Sequence, residues 1–350
     1  MSIFVKSGSV RAPKIFGTGL LSLDLLIAPH EDYPSDYFTG GTCGNVLTIL
    51  SYFGWEAFPV ARLNGDIASK MVRKDLRKWE VKLRYASLEP SSQTPIIVQK
   101  NVHQKNGISK HRFSWDCPNC GNWLPGYKPV TNNAIDNLGD DIKESRVFFF
   151  DRVSRSALTL AKQAYDSGAL VVFEPSQKGD PKLLEEAFNL CHILKYSNQR
   201  FPDRIDAISQ YSNIQLELRT CGEEGLEYRT RFENYKSRQW RHMKAFHVEN
   251  VVDTAGSGDW FTSGLISQLG RNGTKKIKTV TKDDFDKILV NCQALSAWNC
   301  LFSGARGGMY STSQDEFKHH IKNLVLGKKT NIKIKKKHIK TTLDTICPSC

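Results

Sequence analysis

No run in the 350-residue chain approaches the roughly 20 uninterrupted apolar residues needed to cross a bilayer. The opening MSIFVKSGSVRAPK also lacks the apolar core of a secretory signal. A soluble, cytoplasmic protein is expected. Internal repeats and low-complexity tracts are missing. Hydrophobic residues at 40% and charged residues at 24% exclude disordered and collagen-like chains. Nine cysteines cannot all pair within one chain, which excludes a complete disulfide framework and makes a reducing compartment the simpler expectation. Acidic residues are the scarcer charge, 36 against 49 basic ones, for a net +13. Lys328, Lys329, Lys333, Lys335, Lys336, Lys337 and Lys340 crowd seven of the positive charges into one short segment, so the main body is only mildly basic.

Short apolar runs rich in Val, Ile and Phe predict strands at Lys14–Leu21, Ala57–Leu63, Thr94–Val102, Arg146–Asp151 and Ala169–Phe173. Helical periodicity predicts helices at Asn45–Phe53, Ile67–Trp79, Arg155–Asp166, Pro181–Leu190, Asp259–Leu269, Asp283–Phe302 and Gln314–Leu324. Such alternation predicts an α/β domain with a mainly parallel sheet covered on both faces and ligands beyond the strands' carboxyl ends. Two regions break the alternation, His30–Thr39 and Thr94–Val130, and both would project as a flap.

Asp253-Thr254-Ala255-Gly256-Ser257-Gly258-Asp259 is the most informative segment, followed by the apolar helical run Trp260–Ile266. Small residues let backbone approach a ligand, and a helix starting there aims N–H groups and the positive end of its dipole at an anion. Asp259, in the first turn, is placed to take a proton from an attacking hydroxyl. The segment resembles the C-terminal signature of the ribokinase-like (PfkB-type) carbohydrate kinase family, with Ser257 in place of the usual Ala and the small pair Ser263-Gly264 four positions on. Further matches run in family order. Gly17–Asp24 looks like the first strand and its terminal acid. Gly40-Gly41-Thr42-Cys43-Gly44-Asn45 opens a helix leading to Gly65-Asp66, Thr220-Cys221-Gly222-Glu223-Glu224-Gly225 is similar to the phosphate turn, and Lys287–Ala305 is similar to the last nucleotide-binding helix.

The resemblance covers about Ile15 to Ala305 and implies a three-layer ribokinase-like α/β/α domain at 1–326. Lid segments would lie at about 25–41 and 92–130, and a basic tail at 327–350. It implies an ATP-dependent kinase of a sugar, nucleoside or similar polyol, with Asp259 as base and the backbone of Ala255, Gly256, Ser257 and Gly258 as anion hole. Asp24, Gly40, Gly41 and Asn45 would bind the acceptor. Thr220, Gly222, Gly225, Asp253, Thr254, Asn291 and Gly304 would line the nucleotide. ATP and Mg²⁺ are the implied cofactors, a monovalent cation is compatible, and pairing of lids into a homodimer is a family habit. Tyr33, Tyr37, Phe38 and Trp115 are flap residues within reach of many sugars or bases.

One family element is missing. Where an Asn-x-x-Glu motif follows a strand like His192–Leu194, this chain reads Lys195-Tyr196-Ser197-Asn198-Gln199-Arg200. That departure, unlike the minor change to Ile67 after Asp66, puts the metal environment in doubt and keeps open a catalytically weak ligand sensor or scaffold. Outside the resemblance, Cys117-Pro118-Asn119-Cys120 and Cys347-Pro348-Ser349-Cys350 have the spacing of two zinc knuckles, and four thiolates would satisfy tetrahedral zinc. Redox pairs or incidental thiols are the other readings. With the lysine run, a knuckle would also suit nucleic acid, although no aromatics interleave the lysines and an electrostatic guide or solvated strand is favoured.

Overall fold

The computed structural model describes residues 3–5, 11–27, 36–103, 109–328 and 346–350. Tyr33, part of the first flap segment and the tail lysines from Lys329 to Lys340 lie outside the described residues. In chain order the first third holds β1 (Lys14–Thr18), β2 (Ser22–Ile27), β3 (Asp36–Gly40), α1 (Thr42–Tyr52), β4 (Glu56–Leu63), α2 (Ile67–Lys78), β5 (Ala86–Leu88), β6 (Ile96–His103) and β7 (Ser109–Ser114). The middle holds α3 (Asn132–Leu138), β8 (Val147–Phe150), α4 (Arg155–Asp166), β9 (Leu170–Phe173), α5 (Pro181–Leu190), β10 (Ile193–Ser197), α6 (Ala207–Gln210), β11 (Leu216–Thr220), β12 (Leu226–Phe232) and β13 (Tyr235–Met243). The chain continues with α7 (Ser257–Leu269), α8 (Lys275–Thr279), α9 (Lys282–Asn299), α10 (Gly307–Ser311) and α11 (Gln314–Val325).

Nine strands form one sheet in the order β13-β12-β11-β10-β9-β8-β1-β4-β5. Every pair from β11 to β5 is parallel, and β12 and β13 add an antiparallel edge. The central strands β8 and β9 read VFFF and LVVF and are buried at every position, as a parallel sheet covered on both faces requires. One core packs α1, α7, α9 and α11 on one face, and a second packs α3, α4 and α5 on the other. Helix starts follow local chemistry: Ser154, Asp180 and Thr281 cap α4, α5 and α9, and Ser313 with Glu316 forms a capping box on α11. None of the described helices is long and apolar enough to cross a membrane.

A smaller sheet, in the order β3-β2-β6-β7, packs with α2 over a third core. Here the structure corrects the expectation of one strand ending in Asp24. The chain leaves the large sheet at Gly19 (φ 143°), where a Cβ would overlap the Asp151 carboxylate. It re-enters as β2 of the small sheet, so Asp24 lies inside a strand of that sheet, paired with Phe38 and Ile97, rather than at the end of β1. The hydrophobic pattern alone ran through this crossing.

The pair Ser263-Gly264 explains how α7 sits centrally. Ser263 bonds back to the Asp259 carbonyl at 2.7 Å, and a Cβ on Gly264 would meet Leu295 Cδ1 at 2.5 Å and Cys292 Sγ at 3.2 Å on α9. Gly264→Val is expected to lower stability by about 1–3 kcal/mol through overpacking, measured by urea unfolding. An unchanged midpoint would contradict the close α7–α9 approach.

Candidate active site

The segment from Asp253 to Asp259 is a turn whose backbone is fixed from behind. Helix α7 starts at Ser257 after Gly256, which has φ 75°; a Cβ there would come within 2.6 Å of Ala305 Cα. Asp253 is buried, and its carboxylate accepts from the Ala255 and Gly304 N–H groups at 2.9 Å each and from Gln99 Nε2 at 2.7 Å. Asn299 Nδ2 donates to the Ala255 carbonyl at 2.6 Å, and Ser296 Oγ donates to the Ser257 carbonyl at 2.7 Å. Trp260 Nε1 holds the Ala305 carbonyl at 3.0 Å. With these carbonyls tied down and the Ser257 N–H taken by the Thr254 carbonyl at 3.2 Å, the N–H groups of Gly256 and Gly258 make the donor nest at the start of α7.

Asp259 is buried in the first turn of α7. Asn45 Nδ2 donates to its Oδ2 at 2.7 Å, and Asn45 Oδ1 accepts from Arg306 Nε at 3.0 Å. The Arg306 side chain is completely buried; it donates to the Thr39 carbonyl and pairs with Asp75 Oδ2 at 2.8 Å, where the Tyr310 hydroxyl also donates. Burial alone would push the Asp75 carboxyl up, but Arg306 and Tyr310 overcome it and hold it below the ordinary value. Among the described residues no cation is ion-paired with Asp259, and Lys195 and Arg200 act on it only at longer range. Burial and the nearby Glu174 charge push its pKa up to about 8, against the opposing Asn45 bond.

Beside the nest lies a buried ion pair. Lys195, in β10, bonds Glu174, just past β9, and Thr262 of α7 donates to Glu174 Oε2 at 2.6 Å. A Cβ on Gly258 would lie 3.5 Å from Lys195 Nζ, so the lysine stands against the nest. Asp151, just past β8, accepts from the Leu20 N–H at 2.9 Å, while its Oδ2 is buried without a hydrogen-bond partner. Burial pushes Asp151 up to about 6. These groups stand at the carboxyl ends of parallel strands, where open α/β sheets gather their ligands.

Asp253, Gly256, Ser257, Gly258, Asp259, Asn45 and Gly304 are thus brought together. Gly304, at φ 79°, turns under the ring of lid residue Phe38. Asp24 is near enough for the Arg306 charge to act on it, though burial wins and raises it to about 6. Gly40 is needed because a Cβ would overlap the Asp24 carboxylate, and Gly41, at φ 79°, packs against Leu20. Asn45 orients Asp259 rather than lying open. Thr220 bonds the Tyr196 carbonyl at 3.5 Å; beyond it Gly222 faces open space, whereas Gly225 is packed against Met243 and Ala245. Asn291 is not brought to the nest: it donates to Gln268, ten residues along α7 from Gly258, and Ser296 and Asn299 are α9 residues that meet the turn. Cys117, Cys120, Cys347 and Cys350 converge elsewhere, beside the small sheet.

Arg306, Asp75, Lys195 and Glu174 carry no family motif in the reading above. A lysine inside the apolar strand ILKYS and a glutamate directly after LVVF were the available signals. Arg306→Met would strand Asp75 without its cation and is expected to cost about 3 kcal/mol, read by denaturant unfolding; a loss below about 1 kcal/mol would mean that Asp75 is well solvated without it.

No family model matches the sequence, and no curated protein matches it. Solved structures do. A fructokinase with bound ATP from Xylella fastidiosa superposes with a TM-score of 0.68 at 15% identity, over 90% of this chain and 98% of that one. Aminoimidazole riboside kinase from Salmonella enterica, complexed with aminoimidazole riboside and an ATP analogue, gives 0.65 at 17% identity over 88% and 99%. Ribokinase from Arabidopsis thaliana with ribose and ATP gives 0.63 at 15% identity over 90% and 99%. With its parallel sheet, its four-stranded lid sheet and near-complete coverage of these kinases, the chain has the ribokinase-like fold.

Proposed function

We propose that the chain is an ATP-dependent phosphotransferase that moves the γ-phosphoryl group to a hydroxyl of a sugar, nucleoside or similar small polyol. The observation that carries this reading is Asp259, buried in the first turn of α7 within a glycine nest and held by Asn45. The ligands named for the matched structures, ribose, aminoimidazole riboside and ATP, support the same substrate class.

Phosphoryl transfer has a loose transition state, so positioning and electrostatics supply most of the catalysis. Asp259 takes the proton of the acceptor hydroxyl. The backbone N–H groups of Gly256 and Gly258 receive charge developing on the transferred group, while the Ala255 and Ser257 N–H groups, bonded to the Asp253 carboxylate and the Thr254 carbonyl, hold the turn in shape. Lys195 adds a fixed positive charge beside Gly258, held by Glu174. Asp24, with Gly40 and Gly41 shaping its surroundings, orients acceptor hydroxyls from the lid sheet. Thr220, Gly222, Thr254 and Gly304 line the nucleotide side, with Gly225 and Asp253 holding the two turns in shape. Mg²⁺ fits the crevice, because the unpartnered Oδ2 of Asp151 is a hard oxygen donor of the kind it selects, with Glu174 close by; when bound it neutralises nucleotide phosphate charge. Glu174 and Asp151 therefore supply the carboxylates that the missing Asn-x-x-Glu would have contributed.

The direct test is ADP release from Mg²⁺-ATP across a panel of sugars and nucleosides. Asp259→Asn is expected to lower kcat by about 10²-fold or more with the fold intact; near-normal turnover would defeat the assignment. An inactive panel with measurable ligand binding would support the sensor reading instead.

The raised pKa gives two further expectations. A base works deprotonated, so kcat/KM should rise with pH through a limb near 8 that Asp259→Asn abolishes. For stability, the folded value lies above the ordinary 3.8, so the native state holds a proton that the unfolded chain releases. The contribution of Asp259 is complete below about pH 4 and is lost as pH rises through about 8. At pH 8 Asp259→Asn, neutral throughout, should be more stable than wild type by about 1 kcal/mol or more. Equal thermal midpoints at pH 5 and pH 8 for both proteins would contradict a buried, proton-holding Asp259.

A further inference from the structure

We propose that Cys117, Cys120, Cys347 and Cys350 hold one structural zinc ion that fastens residues 346–350 to the small sheet bearing Asp24. This site is independent of the phosphotransfer reading and is built from two turns. In the first, the Gly121 N–H returns to the Cys117 carbonyl at 2.8 Å and the Cys117 N–H to the Asn122 carbonyl at 2.8 Å, with an isolated bridge between Asp116 and Trp123 beneath. Gly121 ends this knuckle at φ 74°, a left-handed conformation that glycine adopts without strain. In the second, the Cys350 N–H points back to the Cys347 carbonyl at 3.3 Å. Each turn presents both of its sulfurs to the same point.

The sulfur geometry selects a metal over a bond. All four Sγ atoms lie within 4.8 Å of one another. The close approaches run between the knuckles, Cys117 to Cys350 at 3.6 Å and Cys120 to Cys347 at 3.7 Å. A tetrahedron with Zn–S bonds of about 2.3 Å has edges of about 3.8 Å, whereas a disulfide needs about 2.05 Å. Four thiolates with no oxygen or imidazole partner are a soft donor set that favours zinc or iron and disfavours Mg²⁺. Asn119 Nδ2 sits 3.6 Å from Cys350 Sγ and supplies an outer N–H to a ligand sulfur.

Placement gives the ion its role. Cys117 and Cys347 are buried, and with Ile346 and Leu124 they join Leu23 and Leu25 of β2 and Val98 of β6 in the core under the small sheet. The two cross-knuckle contacts span 233 and 227 residues of chain. The described part of the returning segment is short and buries little besides Ile346 and Cys347, too little apolar surface to offset the entropy of ordering it. A metal that binds only the folded arrangement supplies that deficit and couples its affinity to the order of the lid core.

The test uses the full chain purified without added metal. Elemental analysis should find about one zinc per chain, and the double variant Cys347→Ser/Cys350→Ser, monitored for fold by far-UV circular dichroism, should lose it. Replacement of the metal by Co²⁺ in wild type should give the visible absorption of a tetrahedral cobalt thiolate, a readout that no variant's folding affects. Chelation should speed amide exchange in residues 346–350 by about tenfold or more while the α7–α9 core stays protected. Metal-free wild type that binds neither ion, iron in place of zinc, zinc retained by the double variant, or an intact mass lower by two disulfides would each overturn the proposal.

Discussion

The structure depends on one buried guanidinium. Arg306 leaves water completely, a transfer costing several kcal/mol that only close partners can offset. Its partners come from four places: Asp75 on α2, the Thr39 carbonyl on β3, Asn45 on α1 and the ring of Tyr310 on α10, whose hydroxyl donates to Asp75. Two of these elements belong to the small sheet and its covering helix, and the others to the large domain. The ion therefore fixes the angle between the sheets, and through Asn45 it fixes Asp259. Thr39 and Asn45 flank the Gly40-Gly41 step, so the glycine pair is where the lid strand, the helix start and the cation meet. Hydrophobic contact between the same elements would be as strong but would tolerate sliding, whereas a chain of directional bonds from Asp75 through Arg306 and Asn45 to Asp259 does not.

The same economy of charge governs the crevice. Asp151, Glu174 and Asp259 converge at strand and helix ends, and Lys195 is bonded to Glu174. Burial and mutual repulsion raise Asp151 to about 6 and Asp259 to about 8. Lys195, Arg152 and Arg200 oppose these shifts without cancelling them, so burial decides the state of both carboxyls. The nest makes the opposite contribution, since its donors and the α7 dipole favour negative charge a few ångströms away. The two tendencies are kept apart, carboxylates along the strand ends and amides at the helix start.

Much of this was legible in the residues. The boundaries of α4 and α5 follow from period and caps, Ser154 and Asp180-Pro181 marking starts that the structure keeps. The glycine nest was legible because only residues of that size permit Gly256 to lie on Ala305. What was not legible depends on long-range pairing. Leu20 to Ile27 reads as a continuation of β1, because a crossing between sheets leaves no change in hydrophobic period; only the partner strands β3 and β6 reveal it. Asn291 and Ser296 sit on one helix, and their different partners, Gln268 and Ser257, follow from the rotation of α9 against α7, which sequence spacing does not set. Arg306 and Asp75, far apart in sequence, carry no motif.

The small sheet is thus attached to the body by two directional links, and the cysteines join it to residues 346–350. The Arg306 chain is fully internal and insensitive to salt, because a Debye screen does not reach it. The Gln99–Asp253 bond ties β6 directly to the nest at 2.7 Å, so displacement of that strand would be felt at the Ala255 and Gly304 amides that share the same carboxylate. In the cysteine cluster Cys117 and Cys347 are buried in the core under the small sheet and Cys120 and Cys350 are exposed, and a metal held there would make this link depend on metal supply and redox state. Thr39 on β3 and Gln99 on β6 carry the two internal links, and these strands flank β2, so the bonds to Arg306 and Asp253 hold Asp24 in register from both sides.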